Sequence, residues 1–152
     1  MLCAIFMRLT VTILFFSLGY FASSQSILPI NDTCGRFGIA CYNSGLPQRS
    51  ILQTIYLVNN LKKTQLLTWM NSEISENQVH GYVGLYFMKR NGLTLSQEEI
   101  GLMKKIKHLK SPVDFCQDAK YGKEKISTLL TRKMISSYYS WYVSHGYKDF
   151  FK

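Results

Sequence analysis

Histidine, proline and acidic side chains are all scarce in this chain. Its 152 residues include three His, three Pro and nine Asp plus Glu. His80, His108 and His145 stand far apart, and none lies four residues from another. That spacing excludes a helical His pair of the kind that grips zinc. A Gly-x-Ser-x-Gly nucleophile elbow is missing, and so is a phosphate loop ending in Gly-Lys-Ser/Thr. Glu98–Glu99 and Asp114 with Asp118 are the acidic pairs nearest to an acid–base arrangement, but carboxylates in a first helical turn serve the helix dipole instead. The expectation is a protein that is not an enzyme, with no catalytic residue, no metal site and no cofactor.

Long apolar runs are also few. One spans Leu9 to Phe21, with Arg8 before it and Ala22-Ser23-Ser24 after it. A positive flank, a short apolar stretch and small residues at the end form the pattern of a secretory signal peptide, which places a mature start at Gln25. The run is short for a spanning helix, and no later run is comparable, so the mature chain is expected to be secreted and soluble. Cysteine is sparse too. Cys3 leaves with the leader, and Cys34, Cys41 and Cys116 remain. An odd set of three predicts one disulfide and one spare thiol. Cys34 and Cys41 can close a local loop, or one of them can staple the N-terminal arm to Cys116. The spare thiol can join two chains, so a homodimer is one expectation. Asn31-Asp32-Thr33 is a glycosylation sequon in the same arm.

The shortage of acid leaves a strong positive excess. Eighteen Lys and Arg against nine Asp and Glu give a formal charge of +9, or +8 once Arg8 is removed. Such an excess points to an acidic partner. Secretion makes that an extracellular glycoprotein or a membrane surface, and not nucleic acid. The basic candidates are Lys62, Lys63, Lys89, Arg90, Lys104, Lys105, Lys107, Lys110, Arg132 and Lys133. Aromatics are abundant, with ten Tyr, nine Phe and two Trp. Tyr138, Trp141 and Tyr142 read as core, whereas Tyr139, Phe150 and Phe151 exceed what one stripe needs and are candidates for an apolar surface.

Periodicity supplies the elements. Residues 25–46 read as an irregular arm punctuated by Pro29, Gly35, Gly38 and Gly45. Pro47 is placed to open a helix running to about Met70, with Ile51, Leu52, Ile55, Val58, Leu66, Trp69 and Met70 on one face. Asn59, Lys62 and Lys63 interrupt that face. Asn71-Ser72-Glu73 begins a break. Val79 to Met88 is a second apolar stretch, weakened as a helix by Gly81 and Gly84 and ended by Asn91-Gly92. Ser96 and Glu99 form a capping box ahead of Ile100, Met103 and Ile106, and Ser111-Pro112 stops that helix. Ile126, Leu130, Met134 and Tyr138 then recur at every fourth residue and predict a last helix with all four buried. The expected fold is all-α: a compact up-and-down bundle of about four helices over residues 47–152, behind a leader at 1–24 and a disulfide-bearing arm at 25–46.

Three short stretches carry a family resemblance. Gly92-Leu93-Thr94-Leu95-Ser96, Ser111-Pro112-Val113 and the run from Arg132 to Tyr142 resemble a helix start, a turn and a basic-then-aromatic segment of the gastropod sperm acrosomal proteins. That family comprises the abalone-type egg-lysins and their fertilization-protein paralogue. The likeness covers the C-terminal half. It implies a helical, non-enzymatic protein of the acrosomal vesicle that acts stoichiometrically on the egg vitelline envelope, or in gamete membrane fusion. Secretion, size and helices fit equally a four-helix cytokine-like receptor ligand, and basic amphipathic helices fit a membrane-disrupting defence protein.

Overall fold

The computed structural model describes residues 36–38, 47–117 and 120–149. The leader, most of the arm with Asn31, Cys34 and Cys41, and Phe150 and Phe151 lie outside them. Six α-helices, one 3-10 turn and a two-stranded sheet occur among the described residues: α1 (Arg49–Asn59), α2 (Lys63–Met70), α3 (Ser75–Arg90), α4 (Gln97–Lys107), β1 (Pro112–Gln117), β2 (Lys120–Lys125), α5 (Ile126–Leu129), α6 (Arg132–Ser144) and the turn Tyr147–Asp149. The mostly helical expectation holds. The purely α expectation does not, because β1 and β2 form an antiparallel hairpin in which Pro112 faces Lys125 and Gln117 faces Lys120.

The single helix expected from Pro47 to Met70 is two helices. Pro47 precedes the first helical residue by two positions, with Gln48 as N-cap. The break comes from a Schellman closure. Leu61 N–H donates to the Val58 carbonyl at 3.2 Å and Lys62 N–H to the Leu57 carbonyl at 2.9 Å, with Leu61 in the left-handed region at φ 54°. Glycine is the usual residue there, and a leucine costs about 1–2 kcal/mol in that conformation. The same motif ends α3 with the usual residue. Gly92, at φ 101°, and Leu93 donate to the Lys89 and Met88 carbonyls at 3.1 and 3.0 Å.

Helix α3 is the hub. It packs on α1, α2, α4, β1 and α5, and Val79, Val83, Leu85 and Phe87 are fully buried. The glycines that weaken its intrinsic propensity make this possible. A Cβ on Gly81 would lie 2.6 Å from the Leu66 carbonyl oxygen and 2.8 Å from the Met70 nitrogen; one on Gly84 would lie 2.5 Å from Leu66 Cδ2. Backbone therefore meets backbone at the α2–α3 crossing.

The last helix is also divided. Helix α5 ends at Leu129, and Thr131 begins α6 by accepting the Met134 N–H at 3.4 Å on its hydroxyl. Ile126, Leu130 and Tyr138 are buried as expected. Met134 is only half-buried, and Ile135 takes the inward position, because the break at Leu130 shifts the phase of the fourth-residue stripe. Tyr142 is fully buried and Trp141 half-buried. A polar chain fixes α6 against the ends of α1 and α3. Tyr142 O–H donates to Asn59 Oδ1 at 2.6 Å, Asn91 Nδ2 donates to the Tyr142 oxygen at 3.3 Å, and Tyr139 O–H donates to Asn91 Oδ1 at 2.9 Å.

One arm segment joins the core. Phe37 bridges to β1: its N–H donates to the Asp114 carbonyl at 2.7 Å, and its carbonyl accepts from Cys116 N–H at 2.9 Å. The Phe37 ring is 1% exposed and meets His80 and Tyr138 edge-on at 5.2 and 5.1 Å. His80 shares a 3.1 Å hydrogen bond with Thr54 through Nδ1. Burial pushes this imidazole down to about 3, against a smaller opposing pull from the Arg36 backbone.

Two outcomes follow. Gly81→Ala should destabilise the protein by about 1–3 kcal/mol through overpacking, although alanine gains about 1 kcal/mol in helix propensity. Gly84→Ala should cost less, since it meets a side chain that can rotate. Urea unfolding measures both, and a Gly81→Ala protein as stable as its parent would contradict the close crossing. The second outcome concerns pH. The unfolded chain protonates His80 below its ordinary value of about 6.5, whereas the folded chain keeps it neutral to about 3. Between those values the unfolded state binds the extra proton, so stability should fall as pH falls, by up to about 1.4 kcal/mol per pH unit from this group. Unfolding free energies at pH 7, 6 and 5 should show that slope flattened in His80→Gln; an equal slope in both proteins would contradict it.

Candidate functional site: a cationic cleft between three helices

Three helices each present one stripe to a common hollow. On α3 the stripe is Tyr82, Tyr86, Lys89 and Arg90. On α4 it is Ile100, Met103, Lys104 and Lys107. On α6 it is Arg132, Ile135 and Ser136. Within each helix the spacings are three and four residues, which bring side chains to one face. The cleft between them encloses about 540 Å³. Tyrosine, isoleucine and methionine side chains form its apolar walls, and five cations stand among them.

The structure thus gathers Lys89, Arg90, Lys104, Lys107 and Arg132 in one place. No acidic residue lines the cleft, and among the described residues none of the five cations has a carboxylate within ion-pair distance. Arg90 lies over the Tyr139 ring at 4.9 Å. Tyr139 itself is half-buried, packed on Phe87 and Tyr142 at ring distances of 5.5 and 5.9 Å, so it serves as a platform for Arg90 rather than as a free apolar surface.

The other basic candidates are elsewhere. Lys63 pairs with Glu99 at 2.8 Å. Lys62, Lys105, Lys110 and Lys133 are exposed and do not line the cleft. Glu99 completes the capping box, accepting Ser96 N–H at 2.8 Å while Ser96 Oγ accepts Glu99 N–H at 3.2 Å. The Lys63 ammonium, with the Ser96 N–H second, holds this carboxyl below the usual carboxylate range. One carboxylate thereby locks the start of α4 to the start of α2 and fixes one wall of the cleft.

The helix dipole accounts for part of the arrangement. Lys89 and Arg90 end α3, and Lys104 and Lys107 fall in the last turn of α4, where cations are favoured. Arg132 does not fit that explanation. It is the first residue of α6, at the end where the dipole disfavours a cation, and the first turn of α6 holds no acid. The cleft walls, Tyr82 and Tyr86 above all, were not among the sequence candidates. The signal was available in the spacing from Tyr82 to Tyr86 to Lys89 and Arg90.

A second hollow of about 400 Å³ is lined by Val58, Leu61, Met88 and Leu93 among others, with a single cation, Lys148. Cys116, in strand β1, is fully buried and accepts a hydrogen bond from Gln48 Nε2 at 2.7 Å. Among the described residues there is no cluster of three metal-ligating side chains, and no helix long and apolar enough to cross a membrane. Comparison with family models, curated proteins and solved structures returns no match.

Proposed function

We propose that this chain is a secreted, non-catalytic docking protein that binds an acidic extracellular surface through the α3–α4–α6 cleft. The observation that carries the reading is the convergence of five carboxylate-free cations from three helices on one hollow. Isolated surface lysines are commonly no more than solvated charges. Folding that brings together charges distant in sequence creates a local field that attracts and orients an acidic partner. The resemblance to sperm acrosomal proteins supplies a setting for such a partner: the glycoprotein of an egg envelope, or a gamete membrane. Cations would dock on the acidic coat, and apolar side chains would then compete for the contacts that hold it together.

The same reading gives the arm a role. We propose that Cys116 forms a disulfide with Cys34 or Cys41, both of which lie outside the described residues. The position of Gly38 against Cys116 motivates the pairing, since it brings the arm alongside β1. The bond would tie the arm to β1 beside Phe37 and leave one thiol over.

Dose and salt test this function together. A stoichiometric agent dissolves an amount of egg envelope that scales with the protein added and then stops. Binding should weaken steeply from 0.1 M to 1 M salt, as the Debye length contracts from about 10 Å to about 3 Å. Catalytic turnover, with one endpoint at every dose, or binding indifferent to salt would overturn it.

A further inference from the structure

We infer that the cleft is a discrete site for a sulfated oligosaccharide. The inference rests on the extracellular docking reading and narrows it from a charged surface to one ligand class. Three observations carry it. The first is shape. At about 540 Å³ the cleft falls in the range of about 300–1,000 Å³ of small-ligand sites, large enough for a short glycan. The second is the wall. Tyr82 and Tyr86, one helical turn apart, put aromatic side chains with polar tips into the hollow. Aromatic surface covers the apolar C–H face of a sugar ring, and the hydroxyls can bond its oxygens. The third is the distribution of charge. The five cations enter from three helices instead of forming one tight nest. Such a spread suits a ligand with several separated anionic groups better than a single phosphate. Two of the five are arginines, whose planar forks bind anionic oxygens in pairs. The placement of Arg132 against the dipole of its own helix also makes sense here, because the cation is spent on the ligand and not on helix stability.

A membrane surface fits less well. Among the described residues the exposed large hydrophobic side chains are Leu61, Ile74, Tyr121 and Val143, and none of them lines the cleft. Cations set around a hollow rather than beside inserting side chains do not build an interfacial anchor.

The test is calorimetric titration of the full secreted chain, at 0.1 M salt, with a heparin-derived tetrasaccharide, its desulfated form, a single-stranded oligonucleotide and anionic lipid vesicles. The sulfated sugar should saturate one site, and the desulfated sugar should not bind. Arg90→Gln and Arg132→Gln should each weaken binding by about tenfold, the loss of one charge-assisted contact. Lys105→Gln and Lys133→Gln, outside the cleft, should change it by less than about twofold, the scale of a screened exposed charge. Tyr86→Leu, which keeps apolar bulk but removes the ring, should also weaken it. Circular dichroism checks that every variant is folded, and the exposed arginine variants decide the outcome if Tyr86→Leu is not. Equal losses in cleft and control variants would overturn the site and leave the docking reading standing. Tighter binding of the oligonucleotide, or vesicle binding that the sugar does not displace, would replace the ligand class and overturn the inference. No binding to any of the polyanions would overturn the docking reading as well.

Discussion

Helix α3 can lie against α2 only because Gly81 and Gly84 carry no side chain at the crossing. The missing Cβ at Gly81 would occupy space already filled by the Leu66 carbonyl oxygen and the Met70 nitrogen. With α3 held at that depth, its opposite sides meet α1, α4, the hairpin and α5. Its last turn then presents Lys89 and Arg90 toward α4 and α6. The cleft is therefore a consequence of helix placement. Glu99 reinforces it, since the same carboxylate caps α4 and pairs with the first residue of α2.

Charge on the remaining surface behaves differently. Lys63 is consumed by Glu99, and the hairpin lysine Lys123 lies 4.0 Å from Asp114 on an exposed face, where an ion pair is worth little. The cations of the cleft keep their positive field because no carboxylate lines it. Arg90 is further restrained by the Tyr139 ring, and Tyr139 is held by Asn91 in the polar chain that also grips Tyr142. Aromatics that look surplus in the sequence thus hold a cation in place as well as filling the core.

What the sequence revealed depended on how local the signal was. The capping box at Ser96–Glu99 and the stop at Asn91-Gly92 are written in adjacent residues, and both were legible. The break after Asn59 was not, because Leu61 occupies a left-handed position where glycine is the usual marker. Gly81 and Gly84 counted against a helix when read by propensity, and their value appears only when α2 is packed against them. The hairpin was hidden for a related reason. Tyr121 to Lys125 are all exposed, so β2 has no buried face and no apolar alternation, and it exists through pairing with β1. Ile126, Leu130 and Tyr138 were correct, yet the phase change at Thr131 exchanged Met134 for Ile135. All ten basic residues were visible in the sequence, but which five would meet depends on contacts between helices far apart in the chain.

Central to this function is the selection of five cations from ten. Acetylation rates of individual lysines, followed by mass spectrometry with and without a saturating acidic glycan, test it most directly. Lys89, Lys104 and Lys107 should lose reactivity when the glycan is bound, while Lys62, Lys105, Lys110 and Lys133 keep theirs. Uniform protection of every lysine, or protection confined to those outside the cleft, would contradict the account.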